Sequence, residues 1–292
     1  MANTVRFHRQ SQDAFYKLFS QLCGAHSAWE VWADFVSMSA ISIANAFDQK
    51  GAVHDDRERQ YQERLRRYSK EEWEVFPKLL ATVVLALEED PEQDFLGEMF
   101  SSLELHNHWK GQFFTPYPIG HFMVMSALGN IETQLKKKGW VGVNDPACGA
   151  GVLLVAVRNV MVQQNIPSTA ALYVAQDIDR TAALMCYIQL ALLGCAGYVV
   201  VADSLRYPLT GHPLCPSTSP EHEVWYLPMY FHTVWQGRIL WRRMDTILRG
   251  GSHAKLRTEI SADVPPPSQP EPAAPPFIPE LNVTSTGQLT LF

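Results

Sequence analysis

Apolar residues recur at three- and four-residue spacing through the first hundred residues of the chain. The pattern runs through "DAFYKLFSQL" and "WEVWADFVSMSAISIANAF", and this spacing predicts helices with one apolar face. "SKEEWEVFPKLLATVVLALEED" opens with Ser69 and places a glutamate three residues later, which is the capping-box pattern of a helix start. "RERQYQERLRRY" predicts a charged, solvated helix. The sequence therefore predicts a helical N-terminal domain over residues 1–108.

From about Lys138 onward the pattern changes to short apolar runs that alternate with helical ones. Strands that alternate with helices in this way predict parallel βαβ units and a doubly wound α/β sheet over residues 109–260. The predicted strands and helices, in chain order, are "GWVGVND", "VLLVAVRNVMVQQ", "ALYVAQD", "TAALMCYIQLALLG" and "GYVVVAD". "RYPLTGHPLCPSTSPEHE" is then predicted to be a loop, "VWYLPMYF" a fourth strand with its end, and "VWQGRILWRRMDTILRGG" an amphipathic basic helix.

The last part of the chain, residues 261–292, has a different composition. "VPPPSQPEPAAPPFIPE" carries eight prolines, and proline removes backbone donors and favours an extended conformation. We therefore predict a semi-rigid, unfolded spacer that ends in the apolar "LNVTSTGQLTLF".

Composition narrows the class of protein. The 292 residues are 47% hydrophobic and 18% charged, as in an ordinary globular protein with a sizeable core. The formal charge of −6 argues against an electrostatic nucleic-acid binder as a whole. Five cysteines lack CxxC spacing, which favours buried thiols over a metal site. No signal peptide or membrane span is predicted, so we expect a cytoplasmic protein.

The stretch "NDPACGAGVLL" joins the first predicted strand to the helix after it. Gly149 and Gly151 let the backbone turn tightly and approach a ligand, and the helix start offers unpaired N–H groups. Asp145, Asp177 and Asp203 each follow a predicted strand, and parallel sheets bind ligands at that edge. Asp177 can accept the hydroxyls of a ribose, and Asp203 can reach an adenine amino group. The alternative interpretation is that the three aspartates are helix N-caps.

Four stretches, namely "GQFFTPYPIGHFMVMSAL", "DPACGAG", "QDID" and "ADSL", resemble the motifs of adenine-N6 DNA methyltransferases. The resemblance covers roughly residues 93–206 and is strongest to the modification subunits of type I restriction systems. It implies a Rossmann-like sheet with a helical N-terminal region and S-adenosylmethionine as cofactor. It implies that Phe114, Thr115 and Pro116 hold the methionine end of the cofactor, and that Asp145, Ala147 and Gly149 contact its methionine portion. It also implies that Asp177 binds the ribose hydroxyls and that Asp203 binds the adenine.

The family's catalytic Asn/Asp/Ser-Pro-Pro-Tyr/Phe tetrapeptide does not occur in this chain. The nearest stretch is Leu227-Pro228-Met229-Tyr230. In it Pro228 can lend a carbonyl to the target amino group and Tyr230 can stack on a flipped base, but Leu227 has no acceptor to offer. The alternative is an apolar strand that ends in proline. Few residues follow, so we expect a truncated sheet. The basic residues after Trp235 can contact phosphates or form a solvated helix face.

The C-terminal pentapeptide Gln288-Leu289-Thr290-Leu291-Phe292 resembles the bacterial sliding-clamp-binding motif. In that interpretation Gln288 binds at a pocket rim, while Leu289, Leu291 and Phe292 belong to the same partner-binding set. A long spacer lets such a peptide reach a partner while the folded part stays in place. The alternative is a terminal segment that folds back onto the core.

Two functional hypotheses remain open at this point. The first is an S-adenosylmethionine-binding adenine-N6 DNA methyltransferase whose activity is weak or depends on a partner, because the tetrapeptide is absent. The second is a non-enzymatic adaptor that binds the clamp or another methylase subunit. The expected partners are DNA, the sliding clamp and a specificity or second methylase subunit, and no metal is expected.

Overall fold

The computed structural model describes residues 7, 9–48, 51–105, 114–127, 131–256 and 288–290. Before the sheet it contains eight helices among these residues, which confirms the helical character predicted for the N-terminal region. They are α1 Gln10–Leu22, α2 Ala28–Phe47, α3 Ala52–Leu65, α4 Lys70–Trp73, α5 Val75–Glu89, α6 Phe95–Ser102, α7 Tyr117–Ala127 and α8 Ile131–Lys138.

Short polar side chains set the starts of several of these helices. The Ser27 hydroxyl accepts a hydrogen bond from the Glu30 N–H at the start of α2. The capping box predicted at Ser69 is present and begins α4, since Ser69 and Glu72 each bind the other's backbone N–H. The Asp94 carboxylate accepts from the Gly97 N–H at the start of α6. Each contact satisfies an N–H group that the helix itself leaves unpaired.

Within the described residues the main sheet has five strands, namely β1 Val141–Asp145, β2 Ala171–Asp177, β3 Ala196–Val201, β6 Glu223–Tyr226 and β7 Gln288–Thr290. Their order in the sheet is β6-β3-β2-β1-β7. The strands β1, β2 and β3 are parallel neighbours, as the alternating pattern predicts, and β6 joins β3 in antiparallel orientation. The helices α9 Val152–Gln163 and α10 Arg180–Leu192 connect the parallel strands.

The stretch between β3 and β6 is not the plain loop that the sequence predicts. It contains a two-stranded antiparallel hairpin, formed by β4 Thr210–His212 and β5 Cys215–Ser217. Gly211 of β4 has a φ of +92°, and a Cβ on it would lie 2.8 Å from the Ser217 Oγ. This position of the hairpin therefore requires glycine. The two strands of this hairpin have three residues each and contain glycine or proline, so they are too short to show the alternation of apolar and polar residues that predicts a strand. After β6, a 3₁₀ turn at Pro228–Phe231 leads into α11, Thr233–Leu256.

The terminal strand β7, Gln288–Thr290, pairs in parallel with β1. The sheet thus receives a strand from the far end of the sequence, as the fold-back alternative for the C-terminal segment predicts. Most of the predicted spacer, together with Leu291 and Phe292, lies outside the described residues.

One continuous apolar core includes residues of the N-terminal helices and of the sheet. On the helical side it is aromatic, with the Phe15 ring in edge contact with Trp32, Phe35 and Phe95 at centroid distances of 5.3–5.9 Å. A second cluster on the other face of the sheet contains Trp235 from α11. The helices therefore support the face of the sheet that carries α9 and α10. The predicted boundary at residue 108 falls in a stretch outside the described residues.

Candidate cofactor site at the carboxyl edge

The turn between β1 and α9 depends on two glycines with left-handed backbone conformations. Gly149 has a φ of +53° and Gly151 a φ of +95°. A Cβ on Gly151 would lie 2.7 Å from the Cys186 Sγ of α10, which is too close for any real side chain. The turn can therefore pack against α10 only with glycine at this position, and the following helix begins directly beside it.

Phe114 connects the upstream motif to this turn. A Cβ on Gly149 would lie 3.0 Å from the Phe114 ring, so the ring rests on the glycine backbone. Phe100 of α6 supports the ring in an edge-on contact, with centroids 5.3 Å apart. Thr115 is half-buried and Pro116 is exposed, and the Pro116 carbonyl accepts from the Gly120 N–H at the start of α7. The structure thus brings the two motifs together through Phe114.

Asp145 and Asp177 hold the turn from two neighbouring strand ends. Asp145 Oδ1 accepts from the Ala147 N–H at 3.1 Å. Asp177 Oδ2 accepts from the Gly149 N–H at 2.8 Å, and its Oδ1 accepts from the Asp179 N–H at 2.8 Å. Asp177 therefore fixes the glycine turn relative to β2, while Ala147 stays exposed at the surface of the site.

Burial makes this edge an unfavourable place for negative charge. It raises the pKa of Asp145 to about 6, and the charge of Asp177 adds to this while the Ala147 N–H opposes it. Burial also raises the pKa of Asp177, and it raises the pKa of Asp179 to about 6. Because desolvation is the main cause of all three raised pKa values, a cation that paired with these carboxyl groups would favour their ionised form.

The N-cap interpretation of the aspartates is wrong for Asp145 and Asp177. The N-caps of α9 and α10 are Gly151 and Asp179, and Asp179 accepts from the Ala182 N–H. Asp203 caps no helix either, since its Oδ1 accepts from the Leu205 and Arg206 N–H groups at 2.9 and 3.2 Å in the turn that follows β3. All three carboxylates nevertheless lie at the carboxyl edge of the parallel strands.

Gln189 of α10 is a supporting residue that the sequence motifs do not reveal. It is fully buried, and its Nε2 donates to the Ala150 carbonyl at 2.9 Å and to Asp94 Oδ1 at 2.8 Å. Its Oε1 accepts from the Leu96 N–H. One side chain therefore ties the glycine turn to the start of α6. A glutamine within the apolar helical run "YIQLALL" is the only signal in the sequence.

A sequence profile of the N-6 DNA methylase family matches residues 93–241, which is just over half of the chain. The chain belongs to this family. The match begins just before α6 and ends within α11, so it includes the motifs around Phe114, the glycine turn and all three strand-end aspartates. Family membership implies S-adenosylmethionine as the cofactor.

Among solved structures, the chain is similar to a protein from Listeria monocytogenes that is assigned as a class I S-adenosylmethionine-dependent methyltransferase. The identity is 15%, the TM-score is 0.35, and the match covers 74% of this chain and 66% of that one. A likeness at this level carries no argument about function. No curated protein matches the chain at a significant level.

The residues of the methylase's carboxyl edge fit the chemistry of this cofactor. S-Adenosylmethionine carries a sulfonium cation, an ammonium group and ribose hydroxyls, and the edge offers carboxylates for all three. Asp179 Oδ2 is buried and has no hydrogen-bond partner among the described residues, so an acceptor is still free beside Asp177. Ile178 and Leu205 are 68% and 93% exposed although both are apolar. Asp179, Ile178 and Leu205 lie within "QDID" and "ADSL", but the resemblance assigns them no role.

Pro228 and Tyr230 do not reach this edge of the methylase sheet. β6 is antiparallel to β3, with Tyr226 beside Tyr198 and the Leu227 N–H bound to the Gly197 carbonyl. The stretch therefore lies at the amino end of β3, roughly 20 Å from Asp203 at ~3.3 Å per residue. The Tyr230 hydroxyl donates to the Leu214 carbonyl at 2.8 Å, and its ring is buried. The apolar-strand alternative describes this stretch, and the structure gives no support to a catalytic role for the pair.

The basic helix α11 has a mixed surface. Arg238 is structural, since it donates to the Thr169 and Gly139 carbonyls and lies 4.4 Å from the centroid of the Trp235 ring. Arg242 pairs with Asp245 at 3.3 Å. Several large apolar side chains of the same helix are exposed, namely Leu240, Trp241, Met244, Ile247 and Leu248. Neither a membrane-spanning helix nor a metal-ligating cluster occurs in the described part of the chain.

Proposed function

We propose that this methylase binds S-adenosylmethionine at the carboxyl edge and needs a partner protein to transfer its methyl group efficiently to DNA adenine. The observation that carries the first half is Asp177, whose carboxylate joins the glycine turn to the end of β2. Its neighbours Asp145 and Asp203 meet the same edge. The second half rests on the position of Pro228 and Tyr230 at the opposite end of β3.

Each residue of the edge has a role that follows from its position. Asp177 accepts the ribose hydroxyls through the acceptor sites that remain on its two oxygens beside the Gly149 and Asp179 N–H bonds. Asp145, which is buried, favours the cationic methionine portion. Asp203 faces the adenine, and Ile178 and Leu205 cover its two faces. Phe114, Thr115 and Pro116 close the methionine end. The bound sulfonium supplies an electrophilic methyl group, and the chain's residues orient it and exclude water.

The acceptor side of the reaction needs groups that the described residues do not place at this edge. An exocyclic adenine nitrogen is a poor nucleophile, and two hydrogen-bond acceptors that hold its hydrogens bias it toward attack. Losing one such preorganised partner costs about 10²- to 10³-fold in rate. A partner subunit that supplies these acceptors and reads the DNA sequence would complete the site. The exposed apolar stripe on α11 is consistent with a protein partner.

The test is methyl transfer from tritiated S-adenosylmethionine to DNA. We expect the chain alone to bind the cofactor with turnover at least 10²-fold below that of a complete complex. Asp203→Ala should abolish any residual transfer, while Tyr230→Phe should leave it unchanged. Robust methylation by the isolated chain would refute the need for a partner. Turnover that is absent with every partner would favour the adaptor, which binds cofactor without catalysis.

We also propose that the pentapeptide Gln288-Leu289-Thr290-Leu291-Phe292 binds the bacterial sliding clamp. The support is its sequence alone, together with the long proline-rich stretch before it. Binding of the purified clamp, measured by biolayer interferometry, should be lost when residues 288–292 are deleted. Retained binding by that deletion variant would place the contact elsewhere.

A further inference from the structure

The outer edge of β1 carries the chain's own C-terminal segment. The register pairs Gly142 with Gln288, Val143 with Leu289 and Asn144 with Thr290. On its other side β1 pairs with β2 along its whole length. Without the terminal segment, β1 would be an edge strand with a row of open backbone groups. Such edges attract any extended chain that can pair with them.

The position of this contact links it to the cofactor site. β7 runs parallel to β1 and pairs with the three residues that directly precede Asp145. It therefore follows β1 toward the carboxyl edge. Gly142 and Val143 are buried, so the strand on which the segment lies is part of the core rather than a mobile surface loop.

The same three residues form most of the proposed clamp-binding pentapeptide. A backbone that is paired with β1 cannot at the same time lie extended in a second protein's cleft. We infer that the C-terminal segment is a self-docked strand, which the β1 edge holds and which must detach before another protein can bind it. The docking itself is independent of the proposed function, whereas the competition with the clamp rests on it.

Two features make the docking reversible. Only three residues pair, so few hydrogen bonds hold the segment in place. Residues 257–287 must close a long loop to bring it there, and loop closure opposes docking. The tether still keeps the segment at a high effective concentration near β1.

Hydrogen exchange tests the docking directly. The full chain is compared with a variant that lacks residues 288–292, and with Leu289→Pro and Thr290→Pro, which each remove one N–H from the segment. We expect exchange of those β1 amides at residues 142–144 that face the segment, and not β2, to become at least about tenfold faster in the deletion variant. The amides of β2 and β3 serve as internal controls. Identical exchange at residues 142–144 in the full chain and the deletion variant would overturn the inference.

A peptide in trans gives a second measurement that does not depend on exchange rates. A fluorescein-labelled peptide of residues 281–292 should bind the deletion variant about tenfold more tightly than the full chain, because the full chain's own segment already occupies β1 in about nine molecules of ten. Equal binding to both proteins, or to neither, would contradict a docking site on this edge.

A binding measurement with the sliding clamp separates this inference from the proposed function. The free peptide should bind the sliding clamp about tenfold more tightly than the full chain, if about nine molecules in ten are docked. Equal affinities would show that docking does not withhold the segment. If the free peptide fails to bind the clamp, the proposed clamp contact is wrong, and the exchange result alone then decides the docking.

Discussion

Asp145 offers a quantitative test of the electrostatics of the carboxyl edge. It is 2% exposed, and burial raises its pKa to about 6 from the ordinary aspartate value of 3.8. The raised pKa means that the ionised form is disfavoured in the folded protein. The resulting destabilisation is full above pH 6 and disappears as the pH falls toward 4. Asp145→Asn removes the charge and keeps an oxygen that can accept from the Ala147 N–H.

The magnitude follows from the linkage between proton binding and folding. A shift of about two pKa units corresponds to ~3 kcal/mol at pH 7, and less than about 2 kcal/mol of this remains at pH 5. Asp145→Asn should therefore stabilise the cofactor-free protein, and its gain should be about 1 kcal/mol larger at pH 7 than at pH 5. Urea unfolding of both proteins at the two pH values measures this difference. A variant that is destabilised equally at both pH values would refute the argument.

Three further substitutions test separate contacts. Gly151→Ala should lower the unfolding free energy by about 1–3 kcal/mol more than Gly194→Ala does. Both glycines have a positive φ, but only Gly151 lies against Cys186. Equal losses for the two variants would contradict the steric argument. Gln189→Leu should cost about 3 kcal/mol, since it leaves the Ala150 carbonyl and the Leu96 N–H without their partner, and thermal unfolding should show a clear decrease in Tm. Tyr230→Phe should cost about 1 kcal/mol and leave cofactor affinity unchanged; a large loss of affinity by calorimetry would return this residue to the site.

The structure around the proposed cofactor site could be predicted from the sequence because the local sequence patterns and the tertiary structure agree there. The strand β1, the glycine turn and the helix α9 follow one another directly in the chain, so the sequence of residues 141–163 is enough to predict how these three elements are arranged. The three strand ends meet at one edge because parallel strands must do so. Gln189 and Asp179 escaped detection, since their roles depend on contacts with α6 and on an unpaired buried oxygen.

The region after β3 could not be read in the same way. "VWYLPMYF" was correctly interpreted as a strand and its end, but its direction in the sheet is a tertiary property. Pairing with β3 in antiparallel orientation moves Pro228 and Tyr230 away from the cofactor edge, although their distance along the chain fits the family's tetrapeptide. The pairing of β7 with β1 is likewise a contact between distant residues, for which the sequence offered only the fold-back alternative.

The arrangement also explains why a glycine turn alone is weak evidence for catalysis. The contacts of Asp177, Gly149 and Phe114 shape the glycine turn, where we propose that the methyl donor binds. The acceptor requires a second set of groups facing the donor, and the chain's nearest match to that set lies at the other end of the sheet. In our proposal, cofactor binding and methyl transfer are therefore separable properties of this methylase.

The most direct test of the central claim is calorimetric titration of S-adenosylmethionine into the wild-type chain, into Asp177→Asn and into the matched control Asp13→Asn. Asp13 is exposed on α1, away from the glycine turn. We expect binding by the wild type and by the control, with an affinity about 10- to 100-fold lower for Asp177→Asn, as for the loss of a charge-assisted hydrogen bond. No detectable binding by the wild type, or equal affinities for all three proteins, would contradict a cofactor site built on Asp177.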